Sequence, residues 1–298
     1  MAFINRQRTL LGLPTMAANA AVAQAATNHS LYLQDNNVVG HFETAGLRGF
    51  TGVTPTDRVN PLYPTTGAGE ILSAVFGPFQ SSAEPIESLF DAPFHRSGIL
   101  SDATTAGAGI VVSASANSLS ALTVDFVDFK PAAPDDKLIA YPYPGQTDAQ
   151  ASWLDTESPD PFAAAPQSYF GKTVGYPVTL IGANAASFSQ VSFAITDATG
   201  ANVPCQESDS SNNAEAAHMA MCAPFAPLAA SAAYSVHVTG LLANQSFTAP
   251  RPFDVSWTFT TAATATTPAV SKAMVGVPAR QVRTDSARAP SAESAPRR

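Results

Sequence analysis

Two histidines and one glutamate are the residues of this chain best suited to chemistry. They are His41 in Gly40-His41-Phe42-Glu43-Thr44, Glu70 in Gly69-Glu70-Ile71, and His95 in Pro93-Phe94-His95-Arg96-Ser97. Imidazole nitrogen and carboxylate oxygen are good Zn²⁺ ligands, and a site with an open position polarises a bound water. The same trio also works without metal, when the carboxylate orients an imidazole by hydrogen bond. The three lie far apart in sequence and no His-x-x-x-His pair occurs, so spacing alone does not gather them. Ser97 follows His95 and Ser73 follows Glu70, but the chain has no Gly-x-Ser-x-Gly elbow, which leaves a Ser-His-Glu hydrolase little support. Gly67-Ala68-Gly69 and Gly107-Ala108-Gly109 are too short for phosphate loops and read as turns or close strand packing.

Helices come first among the elements that must position these residues. Phe3, Ile4, Leu10, Leu11 and Leu13 mark a short amphipathic helix that ends at Gly12 and Pro14. Asn19 then reads as an N-cap, and Val22, Ala25, Ala26, His29, Tyr32 and Leu33 recur at helical steps to about Asp35. His29, on that apolar face, reads as a hydrogen-bonded core residue. The glycine- and threonine-rich stretch 41–58 is a loop, with a short helix starting at Asp57-Arg58. Glu84 to Phe90 is a helix that stops at Pro93, before His95.

Two strands follow, 108–113 and 121–129. In the second, Leu122, Val124 and Phe126 face a core while Thr123, Asp125 and Asp128 meet water or the site. Residues 131–168, with six prolines between Pro131 and Pro161, read as a linker from which Tyr141 and Trp153 dock back. Strands around Tyr176–Leu180, 191–196, 218–222, 234–239 and 255–260 suit a β-sandwich over 169–261. His218 and His237 fall in these strands and read as structural. The Ala/Thr/Pro/Ser-rich end, 262–298, is expected to be a disordered basic tail.

The region from Phe3 to Phe129 resembles a bacterial member of the CAP superfamily, which includes cysteine-rich secretory proteins, venom allergens and pathogenesis-related proteins. The resemblance rests on the His41 segment, on Gly49-Phe50-Thr51-Gly52-Val53-Thr54-Pro55 with Asp57-Arg58, on Gly69-Glu70-Ile71, and on the His95 segment. It implies an α+β fold: a CAP-type α-β-α sandwich over 1–130, ahead of the β-sandwich, whose last strands look like bacterial Ig-like modules. It also implies a cleft lined by His41, Glu70 and His95, the set for zinc or another divalent ion, with Glu87 or Asp91 as second acid. The pattern departs from the family at Ile71, Leu89 and Phe94. Ile71 removes an amide, Leu89 replaces an aromatic, and Phe94 narrows or greases the cleft mouth; these changes suit an apolar ligand and equally a site that has lost its chemistry.

Composition bounds the function. The 298 residues carry a net charge of −8, 13% charged and 45% hydrophobic residues. An acidic body argues against nucleic acid as a partner. No apolar run approaches a membrane span, and no leader peptide is visible at Met1-Ala2-Phe3-Ile4. Cys205 and Cys222 read equally as a bridge or as two thiols.

The expectation is therefore an exported, secreted, periplasmic or cell-surface monomer that is not a catalyst. It would hold a divalent ion, a small apolar ligand such as a lipid or sterol, or both. Two alternatives are a metal-assisted hydrolase of peptide or cell-wall material with Glu70 as general base, and a structural surface protein that binds a cell-surface component through its Ig-like module.

Overall fold

The computed structural model describes residues 1–263; the expected disordered tail lies outside them apart from its first two residues. The first half builds one sheet with helices on both faces. Its elements are α1 (Ala2–Leu10), β1 (Ala17–Ala18), α2 (Ala20–Asn36), α3 (Pro55–Val59), β2 (Gly69–Phe76), α4 (Glu84–Asp91), α5 (Pro93–Ile99), β3 (Ala103–Val111) and β4 (Leu119–Phe129). The strand order is β1-β3-β4-β2. The last three are antiparallel and the two-residue β1 runs parallel to β3.

Alternation along the strands decides what each face meets. From β4, Leu122, Val124 and Phe126 join Ile71 of β2, Ile4 of α1, Phe90 of α4, Phe94 and Ile99 of α5, and Leu11 and Leu100 just past α1 and α5, in one core. Val127 and Leu72 point the other way, to Val22, Tyr32 and Leu33 of α2 and Val59 of α3. Asn19 caps α2 as its sequence promised, accepting from the N–H groups of Ala21 and Val22. The long helix sits directly on strand backbone. A Cβ at Gly107 would lie 2.1 Å from Ala23 N, and one at Gly109 2.1 Å from Thr27 N, so only glycine permits this approach.

The element that carries His95 differs from the sequence reading. Pro93 does not merely end a helix. Ala92 is extended, at φ −76° and ψ 120°, and Pro93 opens α5 behind it, so His95 lies inside a helix.

The second half adds β5 (Ile139–Tyr141), β6 (Ser152–Leu154), β7 (Thr173–Gly175), β8 (Val178–Ile181), β9 (Ser187–Asp197), β10 (Cys205–Ser208), β11 (Met219–Pro224), β12 (Ala233–Ala243) and β13 (Arg251–Thr260). Sheets β10-β11-β8-β5 and β13-β12-β9 are antiparallel. They enclose a common core in which Val178, Leu180 and Cys222 meet Phe193, Val236, Trp257 and Phe259. Cys205 and Cys222 are disulfide-bonded. A loop of that size is worth roughly 3 kcal/mol on the chain-entropy account.

The stretch 131–168 is denser than a linker. It supplies strands β5 and β6 and the buried Ile139, Ala149, Ala151, Trp153 and Phe162. Tyr141, Trp153, Phe162, Tyr176 and Met219 enter the same apolar cluster as Ile4, Phe90 and Phe126, so the two halves share a core. Arg96 of α5 rivets the join. Its guanidinium reaches Pro177 O and Thr179 Oγ1, each at 3.1 Å, and stacks over the rings of Tyr141 and Tyr176. Among the described residues no helix is long and apolar enough to cross a membrane.

Candidate functional site

His41 and Glu70 meet as the sequence suggests. The His41 Nδ1–H donates to Glu70 Oε1 at 2.7 Å. Arg58, at the end of α3, donates from Nη2 to Glu70 Oε2 at 2.5 Å and from Nη1 to the His41 carbonyl at 2.9 Å. His29 comes from the buried face of α2. Its Nε2 lies 3.0 Å from Gly40 O and its Nδ1 3.0 Å from Glu43 Oε1. Both partners are acceptors, so the ring is assigned a proton on each nitrogen and a positive charge. Glu43 Oε2 in turn accepts the N–H groups of Thr51 at 2.6 Å and Gly52 at 3.3 Å.

Directly opposite Glu70 in the β2–β4 register stands Asp125. It shares the α2 face of β4 with Thr123, which accepts from Ser30 of α2. Both Asp125 carboxyl oxygens are buried without a hydrogen-bond partner. Burial pushes the Asp125 carboxyl well above its ordinary range and the charge of Glu70 adds to this, against Arg58. For Glu70 burial also pushes upward, but His29, Arg58 and His41 together hold it well below the usual carboxylate range. Within the core, Glu43 and Glu70 thus lie among Arg58, His29 and His41, so the carboxylates face basic side chains. Such pairing is what permits ionisable groups to stay in a core.

His95 stands elsewhere. Strand alternation sends Glu70 toward α2 and α3 but Ile71 toward α5, where a Cβ on Gly98 would sit 3.1 Å from Ile71 Cγ2. The helix that carries His95 therefore packs on the other face of the sheet. There, Glu157 Oε1 accepts both the His95 ring Nδ1–H at 2.6 Å and the His95 backbone N–H at 2.9 Å. Asp155 is nearby and 0% exposed, with neither carboxyl oxygen partnered. Burial, then the charges of Asp160 and Glu157, push it up to about 8. The three residues expected to share one cleft thus fall into two separate histidine–glutamate pairs.

The two candidates for the second acid join neither pair. Glu87 is exposed. Asp91 Oδ1 accepts from Tyr176 OH at 2.7 Å and Gln150 Nε2 at 2.8 Å, at the seam between the halves. Glu157 takes the place expected of them. Sequence reasoning missed it because the pairing spans 62 residues and leaves no local motif. Asp125 did carry a signal, as a lone acid midway along a buried strand opposite Glu70.

A divalent cation does not fit this arrangement. Glu70 spends one oxygen on His41 and the other on a guanidinium, which opposes a second cation there. His41 offers only Nε2, buried and without a partner, and His95 lies across the sheet. Among the described residues no group of three or more His, Cys, Asp or Glu side chains is placed to hold a metal ion. The same bonds make Glu70 a poor general base, since a carboxylate held strongly ionised has little affinity for a proton.

The polar network shapes the loop 41–62 instead. His41 is 1% exposed and Glu70 3%, but Phe42 is 53%, Val53 47% and Leu62 44% exposed, with Leu47 and Phe50 close behind. Gly52 packs so tightly on α3 that a Cβ would lie 2.8 Å from Asp57 Cβ. The loop is therefore anchored from beneath and apolar above.

Comparison with known proteins bears on the first half. Residues 1–126 match the family model described as CAP, the cysteine-rich secretory protein family. Among solved structures, an outer surface protein of Borrelia burgdorferi is 17% identical over 43% of this chain and 89% of that one, with a TM-score of 0.35. An extracellular protein containing an SCP domain from Bacillus anthracis is 24% identical over 42% of this chain and 37% of that one, with a TM-score of 0.33. The comparison with curated proteins returns no match.

Proposed function

We propose that this is an exported, non-catalytic binding protein whose CAP domain presents the loop 41–62 to a small apolar ligand such as a lipid or sterol. One observation carries the reading. The ionisable side chains that suit catalysis are sealed in the core, while the loop they fix puts Phe42, Leu47, Phe50, Val53 and Leu62 into solvent. Single exposed apolar residues are ordinary; five in the one segment 41–62, hydrogen-bonded to the core from below, are not. Rigid anchoring also lowers the entropy cost of binding. Export accords with the Cys205–Cys222 disulfide, since such bonds persist in oxidising compartments. In this reading the β-sandwich is an Ig-like module that extends the CAP domain outward.

The test is titration of the full chain with a dansyl-labelled fatty acid and with cholesterol. Phe42→Ser combined with Phe50→Ser should weaken binding at least about tenfold, or roughly 1.4 kcal/mol, with the melting temperature nearly unchanged. Wild-type protein that binds neither probe, or a double variant that binds as wild type does, would overturn the reading.

A further inference from the structure

The solvent face of β13-β12-β9 holds a second candidate site, independent of the loop 41–62. Two rows of side chains cross this sheet. Ala194, His237 and Ser256 are in register across β9, β12 and β13, and so are Thr196, Ser235 and Thr258. Their partners on the alternate positions, among them Ile195, Val236 and Phe259, fill the core beneath. Small side chains on three adjacent strands leave a trough. Pro144 and Gly145 wall one side of it, fixed by the Gly145 N–H to Thr258 O bond at 2.8 Å and by the Trp257 Nε1–H to Pro142 O bond at 2.9 Å. The resulting trough is open to solvent and offers about 490 Å³.

Its chemistry is specific in kind. Four hydroxyls line it, each able to donate and accept. Among the lining residues the one ionisable side chain is His237, whose Nε2 already pairs with Asp254 Oδ1 at 2.9 Å. No lysine or arginine lines the trough to hold an anion, and the net charge of −8 repels one. Many donors and acceptors with no net charge complement a ligand that is itself neutral and rich in hydroxyls.

The geometry points to this trough as a binding site for a neutral saccharide, such as a stretch of cell-surface glycan. The full chain, labelled with ¹⁵N, is titrated with chitotetraose, maltohexaose and cellohexaose, and with dextran sulfate as the anionic counterpart. Saturable shifts confined to residues such as Thr196, Ser235, Ser256 and Thr258, caused by at least one neutral oligosaccharide, are expected. Ser235→Tyr and Thr258→Tyr, which fill the trough, should each weaken that binding about tenfold or more. Ser246→Tyr, at the exposed turn between β12 and β13, should leave it unchanged. No saturable binding to any of the three neutral sugars would overturn the proposal. So would shifts that map elsewhere, equal binding of dextran sulfate, or trough-filling variants that bind as wild type does. Where a filling variant fails to fold, the wild-type shift map alone decides.

Discussion

Glu157 holds His95 twice through one oxygen, taking the ring Nδ1–H at 2.6 Å and the backbone N–H at 2.9 Å. The acceptor lies beyond the region that matches the CAP family and the donor within it. Both groups are nearly sealed, with His95 at 7% exposure and Glu157 lower still. Glu157→Ala should therefore cost about 3 kcal/mol, as loss of a buried charged partner does, and Glu157→Gln about half of that. Urea denaturation of the two variants beside wild type measures both; a loss under about 0.5 kcal/mol for Glu157→Ala, the size of an ordinary surface change, would contradict the assignment.

Asp155 makes the fold sensitive to alkali. Its carboxyl is held up to about 8 in the folded chain by burial and by Asp160 and Glu157, against an ordinary 3.8. The folded state thus keeps a proton that the unfolded state releases, so this group removes stability progressively as pH rises from about 4 to about 8. Glu70 acts with the opposite sign. Its carboxyl is depressed, so its contribution is present above about pH 4.5 and fades as acid protonates it. Melting temperatures from pH 5 to pH 9 should fall toward the alkaline end for wild type. For Asp155→Asn they should fall less, with a gain on the order of 1–2 kcal/mol at pH 8.

Glu43 is the post on which the apolar loop hangs. Replacing it with glutamine leaves the His29 imidazolium and Arg58 facing a neutral group and weakens the hold on the Thr51 and Gly52 amides. Hydrogen exchange at those two amides should accelerate at least about tenfold, and global stability should drop by about 2–4 kcal/mol. Binding of the dansyl fatty acid should weaken too, although every apolar side chain of the loop is still present.

Gly107 tolerates no side chain. The Cβ of Gly107→Ala would fall 2.1 Å from Ala23 N and 2.4 Å from Val22 C, both of them helix backbone that cannot rotate away. The variant should lose about 3 kcal/mol or more, or fail to fold, as circular dichroism on heating would show.

Much of the first half is legible from sequence because its signals are local. Asn19, Gly12 and Pro14 mark helix ends, alternation in β4 assigns Val124 and Thr123 to opposite faces, and His29 on an apolar helix face is indeed a hydrogen-bonded core residue. His41 with Glu70 was within reach as well. What could not be read is which face each element finally serves. His95 was expected to share a cleft with His41, yet only the packing of α5 on the Ile71 side tells that the sheet divides them. Arg58 was noted only as a helix start, and its role as the cation of the network depends on where α3 docks. Glu157 lay in a proline-rich stretch whose composition suggested slack chain, because prolines mark the absence of regular structure and say nothing about burial.

The apolar cluster that Ile4, Phe90 and Phe126 share with Tyr141, Trp153 and Tyr176 changes how this protein can be dissected. A cut placed at the edge of the recognisable module would shear through the middle of a hydrophobic interior and leave sticky faces on both fragments. Anyone wishing to transplant the module, fuse it or display it must carry its companion along, because the matched segment and the packed interior are not the same length of chain.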